Sequence, residues 1–296
     1  MLQLKNLSKS YGKKRALNNF TASLGTGVYA LLGPNGAGKS TLMNIISGNL
    51  APDSGKVLWN GTDTRSLGTE FRNILGFMPQ QQRLYDSFTG AEFLCYIGAL
   101  KGLSQKEASS ETERCLAAVN MTAEAGKALR AYSGGMKQRI LIAQAIMGDP
   151  KLLIFDEPTA GLDPRERIRI KNLISRISGD KTVIIATHVV PDVEYIAGEA
   201  LMLKSGDLIA HNSPAELCRE IEGRVFEVCC SPDEAEYYLP RYRVSAISQS
   251  SDKTLLRILS EDPPMNCDVR TVQPTLEDVY LWAFGDTEVQ NASGKI

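Results

Sequence analysis

A chain of 296 residues, 43% hydrophobic and 23% charged, has ample core-forming material, as one large domain plus a smaller one. Its formal net charge of −1 gives no polyelectrolyte signature, so no nucleic-acid partner is expected, and "KKR" at 13–15 reads as a solvated strand edge. No run of about 18 apolar residues marks a membrane span, so a membrane role would need a separate protein.

The N-terminus, "MLQLKNLSKSYGKKRALNNF", shows neither a long apolar core nor a small-residue cleavage site. The six cysteines, Cys95, Cys115, Cys218, Cys229, Cys230 and Cys267, form no C-x-x-C pair and read as reduced thiols in a cytosolic protein. The runs "LQLKNL" (2–7), "RALNNFTASL" (15–24) and "VYALL" (28–32) read as strands, divided by the turn signals "SKSYGKK" and "GTG". The glycine-rich "LLGPNGAGKST" (31–41) follows, and then Leu42, Ile45, Ile46 and Leu50 recur at helical spacing, with Gly48 near the end.

After a hairpin-like "DSGKVLWNG", strand character is lost, and "TGAEFLCYIGALKGL", "SQKEASSETERCLAAVN" and "TAEAGKAL" read as helices. They form a helical insertion spanning about 89–147. Beyond "GGMKQRILIAQAIMGDP", helix and strand alternate: "KLLIF" (151–155), a helix over 164–177, "TVIIAT" (182–187), a helix near 191–197 and the hairpin "EALMLKSGDLIA". Such alternation implies a parallel sheet covered on both faces. Near 222 the pattern changes to alternating strands, "GRVFEVCC", "RYRVSAIS" and "TLLRILS", with turns at "SPDE" and "SQSSDK" and a closing amphipathic helix, "PTLEDVYLWAFG". The expected organisation is therefore a main domain over 1–221, a small α+β domain over 222–285 and a disordered tail over 286–296.

Gly33, Gly38, Lys39 and Ser40 match G-x-x-x-x-G-K-[ST], with Pro34, Asn35, Gly36, Ala37 and Thr41 completing the loop. Glycines let successive backbone N–H groups wrap a phosphate, and the helix N-terminus adds partial positive charge. Lys39 would reach the terminal phosphates and Ser40 would ligate Mg²⁺. In "LLIFDEP" (152–158) an apolar strand ends in two carboxylates, and the carboxyl ends of parallel strands form the ligand edge. Neighbouring strand residues point in opposite directions, which gives Asp156 to the Mg²⁺ shell and Glu157 to an attacking water. A helix-capping acid pair is the structural alternative.

The segment "YSGGMKQR" (132–139) resembles the signature sequence of ATP-binding cassette (ABC) ATPases, and the remaining family motifs follow in order over residues 2–220. Tyr11 resembles the adenine-stacking aromatic, Gln80 of "GFMPQ" the glutamine-loop residue, Asp163 of "AGLD" the aspartate loop and His188 of "IIATH" the switch histidine. Tyr11, Gln80 and His188 each have a plain rival: a turn aromatic, a register error of one in the run Gln80–Gln82, and an edge histidine. His211 falls outside any motif.

The resemblance implies an α/β P-loop cassette with a mixed, largely parallel core sheet, an antiparallel N-terminal subdomain, the helical insertion and the small α+β appendage. It implies ATP and Mg²⁺ as cofactors, with Glu157, His188, Gln80 and Lys39 catalytic and Ser40, Gln80 and, through water, Asp156 around the metal. Ser133, Gly134 and Gly135 would complete the ATP site of a second cassette, in a homodimer or a paralogous heterodimer. Met136 stands where many members have glutamine, which leaves the backbone cradle and removes a side-chain contact.

The implied function is the ATPase subunit of a transporter, with integral-membrane permease subunits on separate chains and the cassette peripheral on the inner face of the cell membrane. "PTLEDVYLWAFG" and the signature spacing look similar to bacterial ABC-2 export cassettes. A soluble ABC ATPase acting on nucleic acid, ribosomes or cluster assembly is the alternative, although no tandem cassette and no heptad stretch supports it. A non-hydrolysing regulator would leave Glu157 and His188 idle.

Overall fold

Alternating apolar residues on the first strand set the first layer: Leu2, Leu4 and Leu7 point inward while Lys5 faces water. The computed structural model describes residues 1–80, 82–250, 253–264 and 268–285. Two units emerge, Met1–His211 and Asn212–Ile296.

In the first unit, β1 (Leu2–Tyr11) and β2 (Lys14–Leu24) pair antiparallel across a two-residue turn at Gly12 and Lys13, which sets Tyr11 opposite Lys14. Then come β3 (Gly27–Leu32), α1 (Lys39–Ile46), β4 (Ser54–Trp59) and β5 (Thr62–Asp63). β4 returns to pair with β1, giving a sheet in the order β2-β1-β4-β5.

Residues 64–78 form three elements that the sequence reading did not anticipate: α2 (Thr64–Leu67), α3 (Thr69–Ile74) and β6 (Leu75–Met78). The helical insertion is present as α4 (Gly90–Leu100) and α5 (Gln105–Ala118), each started by a capping box, Thr89 with Glu92 and Ser104 with Glu107. The helix expected at "TAEAGKAL" is replaced by short 3-10 turns at Thr122–Glu124 and Leu129–Ala131. Gly126 lies between them, and the Tyr132 hydroxyl donates to the Glu124 carbonyl (2.8 Å), an oxygen that a continuing helix would use.

α6 (Gly134–Ala145), β7 (Leu152–Asp156), α7 (Pro164–Ser178), β8 (Thr182–Thr187), β9 (Glu199–Lys204) and β10 (Asp207–Asn212) complete this part of the chain. The helix expected near 191–197 is only a 3-10 turn, Val190–Asp192, followed by isolated turn bonds such as Ala197 N–H to Val193 O (2.8 Å) before the Gly198 amide is taken up by Val28 O of β3 (2.8 Å). The main sheet has the order β10-β9-β3-β8-β7-β6, with parallel pairing from β9 through to β6. Every residue of β7 and β8 is buried, as expected of parallel strands covered on both faces. β3, β8 and β7 are neighbours, so the segments leaving their carboxyl ends converge on one edge.

The second unit holds α8 (Pro214–Glu220), β11 (Val225–Cys230), α9 (Pro232–Tyr238), β12 (Arg243–Gln249), β13 (Thr254–Leu259), β14 (Asp268–Thr271) and α10 (Leu276–Phe284). Its strands form an antiparallel sheet, β12-β13-β11-β14, and α9 closes a core of Val228, Cys230, Ala235, Tyr238, Leu256 and Ile258. "SPDE", expected as a turn, is the start of α9: Ser231 and Glu234 form a capping box and Pro232 occupies the first turn. The division falls after His211, ten residues before the boundary expected from sequence, because α8 packs against α10. The expected tail, 286–296, lies outside the described residues.

Candidate functional site

The loop between β3 and α1 is shaped by glycines that no other residue could replace. Gly33 (φ 156°) passes so close to β9 that an added Cβ would lie 2.4 Å from the Leu203 carbonyl oxygen. At Gly38 (φ 114°) a Cβ would lie 2.3 Å from the carbonyl oxygen of Ala16 on β2. Gly38 is also the N-cap of α1 and supplies no side-chain acceptor, so the first-turn N–H groups of Lys39, Ser40 and Thr41 are open to an anion. Lys39 is buried, and its Nζ donates to the carbonyls of Gly33 (2.5 Å) and Pro34 (3.2 Å). Burial lowers the Lys39 pKa, while the charges of Glu157 and Asp156 act in the opposite direction.

β7 delivers Asp156 and Glu157 to the same edge. Burial, reinforced by the neighbouring Glu157 charge, pushes the Asp156 carboxyl up to about 6 against the pull of Lys39 and the Gln80 amide. Glu157 is 5% exposed and sits in the left-handed region (φ 51°), which an L-residue with a long side chain rarely adopts. Its amide donates to Ala186 on β8 (2.8 Å). Its carboxylate accepts from Thr187 Oγ1 and from the His188 amide, both at 3.2 Å, and His188 Nδ1 lies 2.8 Å from Oε1. With the donor assigned to Nδ1, the Nε2 of this half-exposed ring is left as an acceptor facing away from the acid.

One cleft collects most of the expected side chains: Tyr11, Asn35, Gly36 and Gly38 with Lys39, Ser40, Thr41, Gln80, Asp156 and Glu157. Gly33, Pro34 and Ala37 shape the loop from behind, with the Ala37 amide donating to Pro34 (3.1 Å), and His188 reaches the cleft only through Glu157. Ser133, Gly134 and Gly135 lie apart from it, at the start of α6, where the Ser133 hydroxyl accepts from the Met136 amide (3.3 Å). Gly135 admits a close approach of α7, since a Cβ there would lie 2.5 Å from Glu166 Oε2. Asp163 is likewise outside the cleft and caps α7 by accepting from the Glu166 amide (2.9 Å). Two further lining residues, Lys14 and Ala16, were not singled out in the sequence. The register of Tyr11 opposite Lys14 is the signal that could have found Lys14.

A glycine loop between a parallel strand and a helix, a buried lysine and an acid pair on the next strand but one define a P-loop nucleotide-binding protein. The ABC transporter family model matches residues 17–160. The linearmycin resistance ATP-binding protein LnrL of Bacillus subtilis (strain 168) is 36% identical over 225 residues, covering 75% of this chain and 72% of that protein. The Nod factor export ATP-binding protein I of Rhizobium sp. (strain N33) is 31% identical over 298 residues, covering 96% and 97%. Among solved structures, a dimeric ATP-binding cassette in a post-hydrolysis state with ADP and Pi aligns with a TM-score of 0.65 at 28% identity, over 72% of this chain and 98% of that one. An ATP binding subunit of an ABC transporter aligns at 0.67 and 26%, over 81% and 100%. The chain belongs to the ABC transporter family of ATP-binding proteins. It is a subunit that binds and hydrolyses ATP for a membrane transporter.

Proposed function

We propose that this chain drives an exporter, working as one of two cassettes that close on ATP beneath separate permease subunits at the inner face of the cell membrane. The observation that carries the reading is the buried Glu157 carboxylate, bonded to His188 and lining the same cleft as Lys39. In this reading Tyr11 stacks the adenine ring, the loop Gly33–Thr41 and Lys39 hold the phosphates, and Ser133, Gly134 and Gly135 of the opposing cassette close the site. Ser133 and Gly134 are exposed at the start of α6 and lie outside their own cleft, which suits that role, while Gly135 is buried. Asp163 and the α7 cap it forms would sit at the same junction.

Glu157 takes a proton from water as the oxygen attacks the γ-phosphorus in line, and the bond to the β–γ bridging oxygen breaks to leave ADP and phosphate. His188 orients Glu157 and can pass a hydrogen bond to the phosphoryl group. Asp156 is a carboxylate whose pKa is raised by burial and by the neighbouring Glu157 charge, a cost that a divalent cation held with Ser40 and Gln80 would offset. Mg²⁺ bound there would neutralise charge on the β- and γ-phosphates.

Relatives named for Nod factor export and for daunorubicin resistance match 94% or more of the chain, which supports export as the direction. For the permease, the surface after Gln80 offers a partly exposed aromatic group, Tyr85, Phe88 and Tyr96, with ring centroids 5.2 to 6.0 Å apart. An amphipathic cytoplasmic helix would bury it. The test is to capture the tagged protein from native cells in mild detergent. A multi-spanning membrane protein in stoichiometric amount is the expected companion, and a soluble partner would move the ATPase to the soluble class.

A further inference from the structure

Two short segments leaving neighbouring strands are laced together at both ends. One, 157–159, follows β7; the other, 188–192, follows β8. At the near end Glu157 is bonded to Thr187 and His188. At the far end Thr159 Oγ1 donates to Asp192 Oδ2 at 2.6 Å, and both residues are buried. The ring closes through the backbone: the Asp192 amide donates to Val189 O (3.1 Å), and the Val189 amide to Thr187 Oγ1 (3.0 Å), the same hydroxyl that bonds Glu157.

A carboxylate buried this far from water is costly unless it is paired. Lys171 on α7 supplies the charge: its Nζ lies 3.8 Å from Asp192 Oδ1 and donates to Pro191 O (3.2 Å). A short bond to an ionised acceptor is among the stronger hydrogen bonds, and here it fastens a hydroxyl two residues from Glu157. Glu157 itself has a backbone conformation that persists only where its surroundings over-determine it. Neither Thr159 nor Asp192 lines the nucleotide cleft.

We propose that Asp192, acting through Thr159, is a positioning residue that holds the Glu157 carboxylate where it can take the proton from water. The proposal rests on the reading of Glu157 as the base. It separates chemistry from nucleotide binding, because the clasp closes behind the acid and touches none of the groups that hold phosphate.

The experiment is steady-state MgATP hydrolysis by the purified full chain, with fluorescent ATP-analogue binding measured on each variant. Asp192→Ala and Thr159→Val should each lower kcat about tenfold while KM and nucleotide affinity stay within about twofold. The double variant should be no slower than the slower single one, since both remove the same bond. Asp192→Asn keeps an oxygen that can accept from Thr159 and should recover most of the turnover. Losses that multiply in the double variant, a raised KM at unchanged kcat, or an Asn variant as slow as the Ala variant would overturn the clasp. If Asp192→Ala fails to fold, Thr159→Val and Asp192→Asn decide the matter. Glu157→Gln is measured in parallel: normal turnover there defeats the assignment of the base, whereas its loss beside an unaffected Asp192→Ala defeats the clasp alone.

Discussion

His188 Nδ1 lies 2.8 Å from Glu157 Oε1, and the two residues come from the ends of adjacent parallel strands, 31 positions apart in the chain. The backbone amide of the same histidine bonds the same oxygen, so the acid is gripped twice by one residue. Pairing of β7 with β8 sets this relationship, because Asp156 is in register with Ala186, so Glu157 leaves its strand beside Thr187 and within reach of His188, one residue further on.

Glu157→Gln keeps the shape and both donors' partner oxygen but cannot take a proton. It should lower kcat for ATP hydrolysis about 10²- to 10⁴-fold while ATP still binds, so that an ATP-held dimer accumulates. Phosphate-release kinetics and size-exclusion chromatography with MgATP check both halves of this expectation. His188→Ala leaves the carboxylate its Thr187 bond and should be slowed less.

The glycine loop makes a sharper prediction about space. Gly38→Ala places a Cβ against the Ala16 carbonyl and demands a left-handed residue, a backbone strain of about 1–3 kcal/mol before the clash is counted. The loop must open, and fluorescent-nucleotide titration should show ATP binding lost. Gly126→Ala, where an added Cβ meets nothing and φ is not left-handed, should bind ATP like the parent chain.

The placement of the glycine loop, the acid pair and the histidine after β8 was legible in sequence because each is a local pattern attached to an apolar strand. A run such as "KLLIF" fixes where Asp156 and Glu157 must emerge. The clasp was not legible, since Thr159 and Asp192 are 33 positions apart and a hydroxyl facing a carboxylate has no spacing rule. Lys14 was hidden for a related reason: "KKR" has the composition of a wet strand edge, and only the two-residue turn after Tyr11 brings it to the cleft. Residues 64–78 failed differently, being elements of four to six residues that are too short to establish a period.

The second unit should lose stability in acid through its buried Asp278 carboxyl, beside the exposed capping acids Glu216 and Glu234. Burial of Asp278 (1% exposed) would raise its pKa, but bonds from Arg257, from the Thr275 amide and hydroxyl and from Ser245 outweigh burial and hold it below the usual carboxylate range. A group with a lowered folded pKa contributes stability above its unfolded value, near 4, and that stability fades as pH falls toward the folded value. Asp278→Asn leaves Arg257 only the more distant Glu227 (3.7 Å) as a partner charge and should cost about 3 kcal/mol near neutrality. In thermal melts from pH 7 to pH 2.5, the gap between parent and variant should narrow only below about pH 4.

Lys14 decides whether the cleft has a second cation besides Lys39. It is exposed, stands across the hairpin from Tyr11, and its Nζ is 3.5 Å from where a Cβ on Gly36 would lie, so it overlooks the glycine loop from the side of Tyr11. A charge placed there attracts bound ATP equally before and during hydrolysis, which is uniform binding. Lys14→Ala should therefore raise KM about three- to fivefold and leave kcat in place, and Lys14→Glu should raise KM further. Because the ammonium is in water, the parent's advantage must shrink as salt shortens the Debye length from about 10 Å at 0.1 M to about 3 Å at 1 M. Steady-state kinetics at those two salt concentrations is the check. A salt-independent loss would mean that Lys14 supports the turn after Tyr11 and not the nucleotide's charge.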